Sequence, residues 1–395
     1  MTSPRCYLNS LGMLCSAGDS ADAVKQNLRS GIANLTDSEG YIENKKLPLG
    51  LYQGELPVIP LADTHWHSRN NQFALAALNQ IRADVDNAIE TCGPHRVGVI
   101  LGTSTSGIAE SEVAIEQWLN TGETPSGYRY DIQEMGAPAQ FIAELLGLSG
   151  PCYGISTACS SGAKALASAR RLIRAGICDA VIAGGVDTLC QLTVRGFSSL
   201  EAVSDSRSNP MSRNRDGINI GEGAALFLVS GNASGVELLG VGEGSDAYHI
   251  SAPEPTGAGA IQVMRAALQD AGIAASEIDY VNLHGTATVL NDQMESRAIE
   301  QVFGLDVPCS STKPFTGHTL GAAGAIEAGI CWLTLEAGER NFLPMHLWDG
   351  AKDLELPDIR LVTQDYRPPE TPRLVISNNF AFGGNNIALL LGRIP

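Results

Sequence analysis

Short apolar runs recur along the chain, each bounded by Gly or Asp. They cover residues 97–101 (VGVIL), 180–183 (AVIA), 224–229 (AALFLV), 236–241, 280–283, 374–376 and 387–391. Runs of this length without polar alternation read as strands buried on both faces. Between several of them the spacing turns helical. Residues 21–30 follow Asp19 and Ser20, good capping types, and stop at Gly31. Residues 73–89 carry Ala and Leu at helical spacing, 160–175 runs to Gly176, and 258–271 runs to Gly272. Strands alternating with helices predict an α/β sheet with helices on its faces.

An internal repeat is suggested by two segments, AGICDAVIAGG at 175–185 and AGIAASEIDYVNLHG at 271–285. Each is an Ala-rich helix end, a Gly, an Asp and a β run. Two copies of one α/β unit would explain the length, with 1–230 and 236–395 as the halves and the small polar stretch 230–235 as the seam. A chance similarity in an Ala/Gly-rich chain would look the same.

Composition narrows the function. The 395 residues are 44% hydrophobic and 17% charged, which excludes disorder, collagen and coiled coil. Acidic residues outnumber basic ones 43 to 26, a formal net charge of -17. General nucleic-acid binding begins with cationic contact to phosphate, so such a chain is not expected to do it. The nine cysteines are odd in number and show no CxxC spacing, so neither a disulfide framework nor a zinc site is expected. A reducing, cytoplasmic compartment follows, and no apolar run is long enough to span a membrane. GVGEG at 240–244 opens no predicted helix, and no P-loop occurs, so no nucleotide cofactor is expected.

Four motifs could carry chemistry. GISTACSSG at 154–162 leads into a predicted helix and places Cys159 at its start. A helix N-terminus favours thiolate, and its free N–H groups can face an oxyanion. An ordinary buried cysteine in a strand-to-helix turn fits the same residues. NLHGTAT at 282–288 and KPFTGHTLGAAG at 313–324 put His284 and His318 beside glycines, where a ligand could pack closely. NNFAFGGN at 378–385 allows a sharp bend at Gly383 and Gly384. His65, His67, His95, His249 and His346 have no comparable context and read as surface or structural.

TACSSGA, HGTAT, KPFTGHTLGAAGAIE and NNFAFGGNN stand in this order, and the chain resembles the β-ketoacyl-acyl carrier protein synthases over about residues 5 to 392. RNRDGINIGEGAA and SDAYHISAPEPTGAGA resemble that family's connecting segments. These are the elongating condensing enzymes of type II fatty-acid and polyketide synthesis. The resemblance implies the thiolase fold: two similar βαβαβαββ halves in a five-layered αβαβα sandwich. It implies Cys159 as nucleophile, His284 and His318 as catalytic histidines, Lys313 and Glu327 as a supporting pair, and Phe382 as a gate. The Phe382 N–H would join that of Cys159 in an oxyanion hole. Asn282, Glu327, Ser377 and Asn378 match positions that line a monovalent-cation site in some members. No other metal and no cofactor is implied.

The implied reaction joins an acyl group on Cys159 to a malonyl unit on acyl carrier protein, with loss of carbon dioxide. Degradative thiolases need a second C-terminal cysteine, and none follows Cys331. Initiating synthases have Asn where His318 stands. A non-catalytic chain-length-factor subunit lacks the nucleophile. Departures at Ala381, Asn385 and Asn291, and a polar segment at 102–110, point to a specialised aryl-polyene-like or polyene pathway rather than housekeeping elongation. The expected partners are acyl carrier protein and a second subunit, either the same chain or a chain-length-factor-like ketosynthase. Carrier proteins are acidic, so a local basic patch is needed on this acidic body. Arg69, Arg129 and Arg207 are the candidates.

Overall fold

The computed structural model describes residues 4–233, 235–336 and 342–393. Ser234 of the expected seam lies outside the described residues. The first five strands of the main sheet are β1 (Tyr7–Cys15), β4 (Val97–Gly102), β5 (Cys152–Ile155), β6 (Ala180–Asp187) and β7 (Gly223–Ser230). A small hairpin, β2 (Thr36–Ile42) and β3 (Lys45–Leu49), stands apart. The last five strands are β8 (Glu237–Ser245), β9 (Tyr280–Asn282), β10 (Cys309–Ser310), β11 (Leu374–Phe380) and β12 (Asn385–Gly392).

Their spatial order is β10-β9-β11-β12-β8-β1-β7-β6-β4-β5. Read outward from the β1–β8 junction, the two halves are the same. β1 matches β8, β7 matches β12, β6 matches β11, β4 matches β9 and β5 matches β10. Directions agree too: β1/β7, β6/β7, β8/β12 and β11/β12 are antiparallel, while β4/β5, β4/β6, β9/β10 and β9/β11 are parallel. Among the described residues, the strand ladders of the two halves meet at Tyr7 opposite Glu237.

The burial pattern explains the layering. Along β7, Ala225, Phe227 and Val229 face the central core, and Ala224, Leu226 and Leu228 face an outer one. Along β12, Ile387, Leu389 and Leu391 face the same central core, and Ala388 and Leu390 a third. Each strand is therefore apolar on both faces, because its side chains alternate between two cores. The Ser161–Arg174 and Ala323–Leu335 helices fill the middle layer. Arg69–Gln80 and Ala137–Leu146 cover one outside, and Ala258–Ala271 and Val289–Phe303 the other. This is the five-layered sandwich.

The repeat is real, but the two segments that suggested it are not equivalent positions. Residues 175–185 lead into β6, whose counterpart is β11; residues 271–285 lead into β9, whose counterpart is β4. What they share is turn chemistry. Gly176 and Gly272 both sit at φ 67, the left-handed geometry that ends a helix before a strand. The helix expected over 73–89 is two, Arg69–Gln80 and Arg82–Cys92, broken where Ile81 adopts φ -112 and ψ 12. Residues 21–30 form the Ala21–Ser30 helix, with Ser20 Oγ accepting from the Ala23 N–H and Gly31 at φ 70.

Candidate active site

Cys159 sits two residues before the Ser161–Arg174 helix, in a turn that its own hydroxyls tie together. Ser161 Oγ accepts the Thr157 N–H at 2.8 Å and donates to the Ala158 carbonyl at 2.6 Å, and Ser160 Oγ donates to the Thr157 carbonyl at 2.8 Å. Ala158 is held at φ 52, where a residue with a Cβ is strained. Glycine lets the helix lie deep. A Cβ on Gly162 would stand 2.9 Å from the Ala325 nitrogen on the facing middle-layer helix.

His318 comes from the second half. Its N–H donates to the Asn219 carbonyl at 2.6 Å, and its carbonyl accepts the Gly221 N–H at 2.9 Å. That pins the backbone, and the ring places Nε2 3.0 Å from Cys159 Sγ. His284 follows β9, and its ring lies edge-on to His318 with centroids 5.5 Å apart. Ligating atoms of Cys159, His284 and His318 all lie within 4.8 Å of one another, and all three residues are buried. Among the described residues this is the only cluster with metal-ligand spacing.

Lys313 braces His284. Its Nζ donates to the His284 carbonyl at 2.5 Å, lies 3.3 Å from His284 Nδ1, and forms a buried ion pair with Glu327. An ammonium has only protons to give, so Nδ1 accepts and the His284 proton sits on Nε2, facing the cavity. Asn379 donates to the other Glu327 oxygen at 2.5 Å. Sequence reasoning missed Glu295, whose two oxygens accept the His284 and Gly285 N–H groups at 2.7 Å each. Its position eleven residues after His284, on the next helix, is the signal that could have found it.

Burial sets the electrostatics. Desolvation, then the Lys313 charge, hold both imidazoles well below their usual pKa, so both are neutral at physiological pH. Burial also pushes the Cys159 thiol up to about 11, against Lys313 and against N–H donation from Phe382 and from Cys159 itself. The thiolate expected from the helix start is therefore not the resting form: desolvation outweighs the helix N-terminus here.

The Phe382 N–H thus faces the sulfur from a tight bend with Gly383 at φ 79 and Gly384 at φ 76. Its ring packs on Phe197 at 5.6 Å. Cys159, His284, His318, Phe382 and Phe197 all line one cavity of 330 Å³. Asp216 and Asp246, from the two polar connecting segments, line it as well.

The four cation candidates divide. Asn282 and Ser377 are register partners on β9 and β11, and their side-chain oxygens are buried and unpaired among the described residues. Such oxygens are the ligand type that a hard cation takes. Asn378 is the next residue along β11 and points to the opposite face, where its Nδ2 donates to Met264 Sδ at 3.4 Å while its Oδ1 is likewise buried and unpaired among the described residues. Glu327 is committed to Lys313 and Asn379.

The expected basic patch is reduced in the same way. Arg69 pairs with buried Glu222 at 2.5 Å, Arg129 pairs with Asp63 and Asp131, and the Arg207 Nε is buried. Two of the three charges are matched by carboxylates, as expected on a body where acidic residues outnumber basic ones. His346 is structural, with Nδ1 accepting the Ser311 N–H at 3.1 Å and Nε2 at 2.9 Å from the Pro210 carbonyl. No helix among the described residues is long and apolar enough to cross a membrane.

Known proteins resemble this chain in sequence and in fold. Residues 59–233 match the beta-ketoacyl synthase N-terminal domain, and residues 236–343 match its C-terminal domain. A 3-oxoacyl-[acyl-carrier-protein] synthase 2 of Coxiella burnetii is 34% identical over 346 residues, 82% of this chain and 81% of that one. A synthase of the same name from Staphylococcus aureus is 31% identical over 98% of this chain and 97% of its own. The ketosynthase ApeO of Xenorhabdus doucetiae, solved in complex with its chain length factor ApeC, superposes with a TM-score of 0.93. It is 44% identical, covering 99% of this chain and 98% of its own. Sequence, topology and the clustered cysteine and histidines agree: the chain belongs to the beta-ketoacyl synthase family, the ketosynthase condensing enzymes of type II fatty-acid and polyketide synthesis.

Proposed function

We propose that the chain condenses an acyl group held on Cys159 with malonyl-acyl carrier protein, releasing carbon dioxide and giving 3-oxoacyl-acyl carrier protein. The observation that carries this reading is Cys159 Sγ at 3.0 Å from His318 Nε2, facing the cavity that His284 and the Phe382 N–H also face. The Cys159 thiol attacks the acyl thioester, and its proton passes to His318 Nε2 and then to the departing carrier thiolate. The Cys159 and Phe382 N–H groups hold the tetrahedral oxyanion.

Malonyl thioester then occupies the cavity, and cleavage of its carboxylate leaves the electron pair as an enolate. The His284 Nε2–H donates to the enolate oxygen without losing its proton, because burial keeps the ring neutral. His318 Nδ1 has no partner among the described residues, so no neighbour locks its tautomer. Its Nε2 can accept in the first half-reaction and donate in the second. The enolate attacks the acyl-Cys159 carbonyl, the C–S bond breaks, and the Cys159 thiolate released takes a proton from water. Lys313 and Glu327 hold the histidine and the local charge.

The pathway we assign is a specialised one of the aryl-polyene or polyene kind. The 44% identity with ApeO supports it, as do Ala381 in the gate bend, Asn385 after it and Asn291 beside the cavity. The partners we assign are acyl carrier protein and a chain-length-factor-like subunit. The edge strand β5, with Tyr153 exposed, and the exposed apolar side chains of Val113, Trp118 and Leu119 support docking of a protein partner. Reconstitution with malonyl-carrier protein, with and without such a subunit, tests the reading by mass spectrometry. Polyene-length 3-oxo intermediates are expected. Ordinary saturated chains alone would return it to housekeeping elongation. No acyl group on Cys159 after incubation with acyl-carrier protein would make it a non-catalytic partner subunit.

A further inference from the structure

The polar segment at 102–110 has no place in the reaction just described, and its residues 102–106 do not line the cavity. Its hydroxyls and amides turn instead to Asp187, a fully buried carboxylate at the end of β6. Asp187 Oδ1 accepts from Thr103 Oγ1 at 2.6 Å, Ser104 N–H at 2.8 Å, Thr105 N–H at 2.9 Å and Thr105 Oγ1 at 2.8 Å. Oδ2 accepts from Ser104 Oγ and from the Gly321 N–H, both at 2.5 Å. Among the described residues, six donors and no cation surround this carboxylate within hydrogen-bond reach. Such a site is built to keep one charged or strongly accepting group in one place.

The sixth donor is the informative one. Gly321 lies three residues after His318, in the turn that starts the Ala323–Leu335 helix. That turn is held at two points. Upstream, the His318 backbone pairs with residues 219 and 221. Downstream, Gly321 meets Asp187. Between them Leu320 is forced to φ 49, a left-handed geometry that costs about 1 kcal/mol or more for a residue with a Cβ. A strained turn keeps its shape only while both ends are fixed. No side chain fits between Gly321 and its anchor: a Cβ there would stand 2.7 Å from Asp187 Oδ2 and 2.8 Å from the Ser104 nitrogen.

The geometry points to Asp187 as a positioning residue for the condensation: through Gly321 it fixes the turn that aims the His318 ring at Cys159 Sγ. The hydroxyl-rich 103–105 segment exists to satisfy that buried carboxylate, not to line the acyl pocket. The inference rests on His318 being a reacting group. Decarboxylation by the unaltered enzyme, lost on His318→Ala, tests that premise separately.

The test is Asp187→Asn, assayed by malonyl-carrier protein decarboxylation with Cys159 capped by iodoacetamide. Asparagine keeps the shape, but its NH₂ meets N–H donors and cannot accept from them. We expect kcat per correctly folded molecule to fall at least ~10-fold with KM unchanged, because a misaimed ring loses transition-state contact while substrate binding is untouched. Thr105→Ser, which keeps the donor, should retain wild-type kcat. If Asp187→Asn does not fold, Ser104→Ala removes one Oδ2 donor and a second acceptor of the Gly321 N–H, at 3.3 Å. It should lower kcat roughly threefold, again at unchanged KM. A lowered melting temperature with wild-type kcat in the folded fraction of either variant overturns the inference. So does a rise in KM with kcat unchanged.

Discussion

Two loops hold equivalent places in the two halves and do opposite things. After β4 the chain enters residues 103–107, and after β9, its counterpart, it enters residues 283–288. The first turns hydroxyls inward to satisfy Asp187. The second turns His284 into the cavity and has its own N–H groups satisfied by Glu295. The starts of the two middle-layer helices differ likewise. One carries Cys159, the proposed nucleophile, in a short turn; the other is preceded by the longer 311–322 segment carrying Lys313 and His318. One topology thus supplies two frames, and the proposed chemistry needs both because a thiol and two imidazoles must converge from different directions. Buried carboxylates accept the loop N–H groups in both frames, so the loops differ in what they point at rather than in how they are held.

The comparison breaks most sharply at the nucleophile. Cys159→Ala should abolish elongation, a loss of at least ~10³-fold, while malonyl decarboxylation persists, since only the second half's histidines serve that step. Chain extension and carbon dioxide release measured on one sample check both parts; loss of both activities together would merge the two frames into one function. His284→Ala should lower decarboxylation by about 10²-fold, as expected for removing one preorganised donor. Iodoacetamide labelling of Cys159 should survive in that variant, because His318 and not His284 approaches the sulfur. A smaller effect comes from the seam between frames. Gly162→Ala forces a Cβ to within 2.9 Å of Ala325, so the helix starts must part, at about 1–3 kcal/mol of stability read by denaturant unfolding.

How much of this was legible in the sequence follows from what each residue does locally. The runs at 180–183 and 387–391 announced their strands because both faces are buried. β1 (YLNSLGMLC) was missed: its Asn9 and Ser10 interrupt the apolar pattern, though Leu8, Leu11, Met13 and Leu14 are buried. The cysteine, the two histidines and Lys313 stood in motifs with distinctive neighbours, and folding brings them together. Asp187 stood in none. A carboxylate ending an apolar strand reads as a turn residue, and only the fold shows that Thr103, Ser104 and Gly321, from two distant loops, close over it. The thiol's state was misread for a related reason: the helix start is visible in sequence, whereas the depth of burial that outweighs it is not.

That competition gives the finest test of the two helix starts. Burial pushes the Cys159 thiol up to about 11, with the Lys313 charge from the other half pulling it down. The free enzyme should therefore be alkylated by iodoacetamide at a rate that climbs with pH from 7 to beyond 10 without levelling, because the thiolate fraction grows tenfold per pH unit below the pKa. A helix N-terminus acting alone would give a plateau above pH 7, and that profile would reverse the ranking of desolvation over the helix start. Lys313→Met removes the pull across the seam. Its profile should move to higher pH, slowing alkylation by nearly the same few-fold factor at pH 8 and at pH 10, because both lie below the pKa. An unshifted profile would mean that the second half bears on Cys159 through shape alone and not through charge.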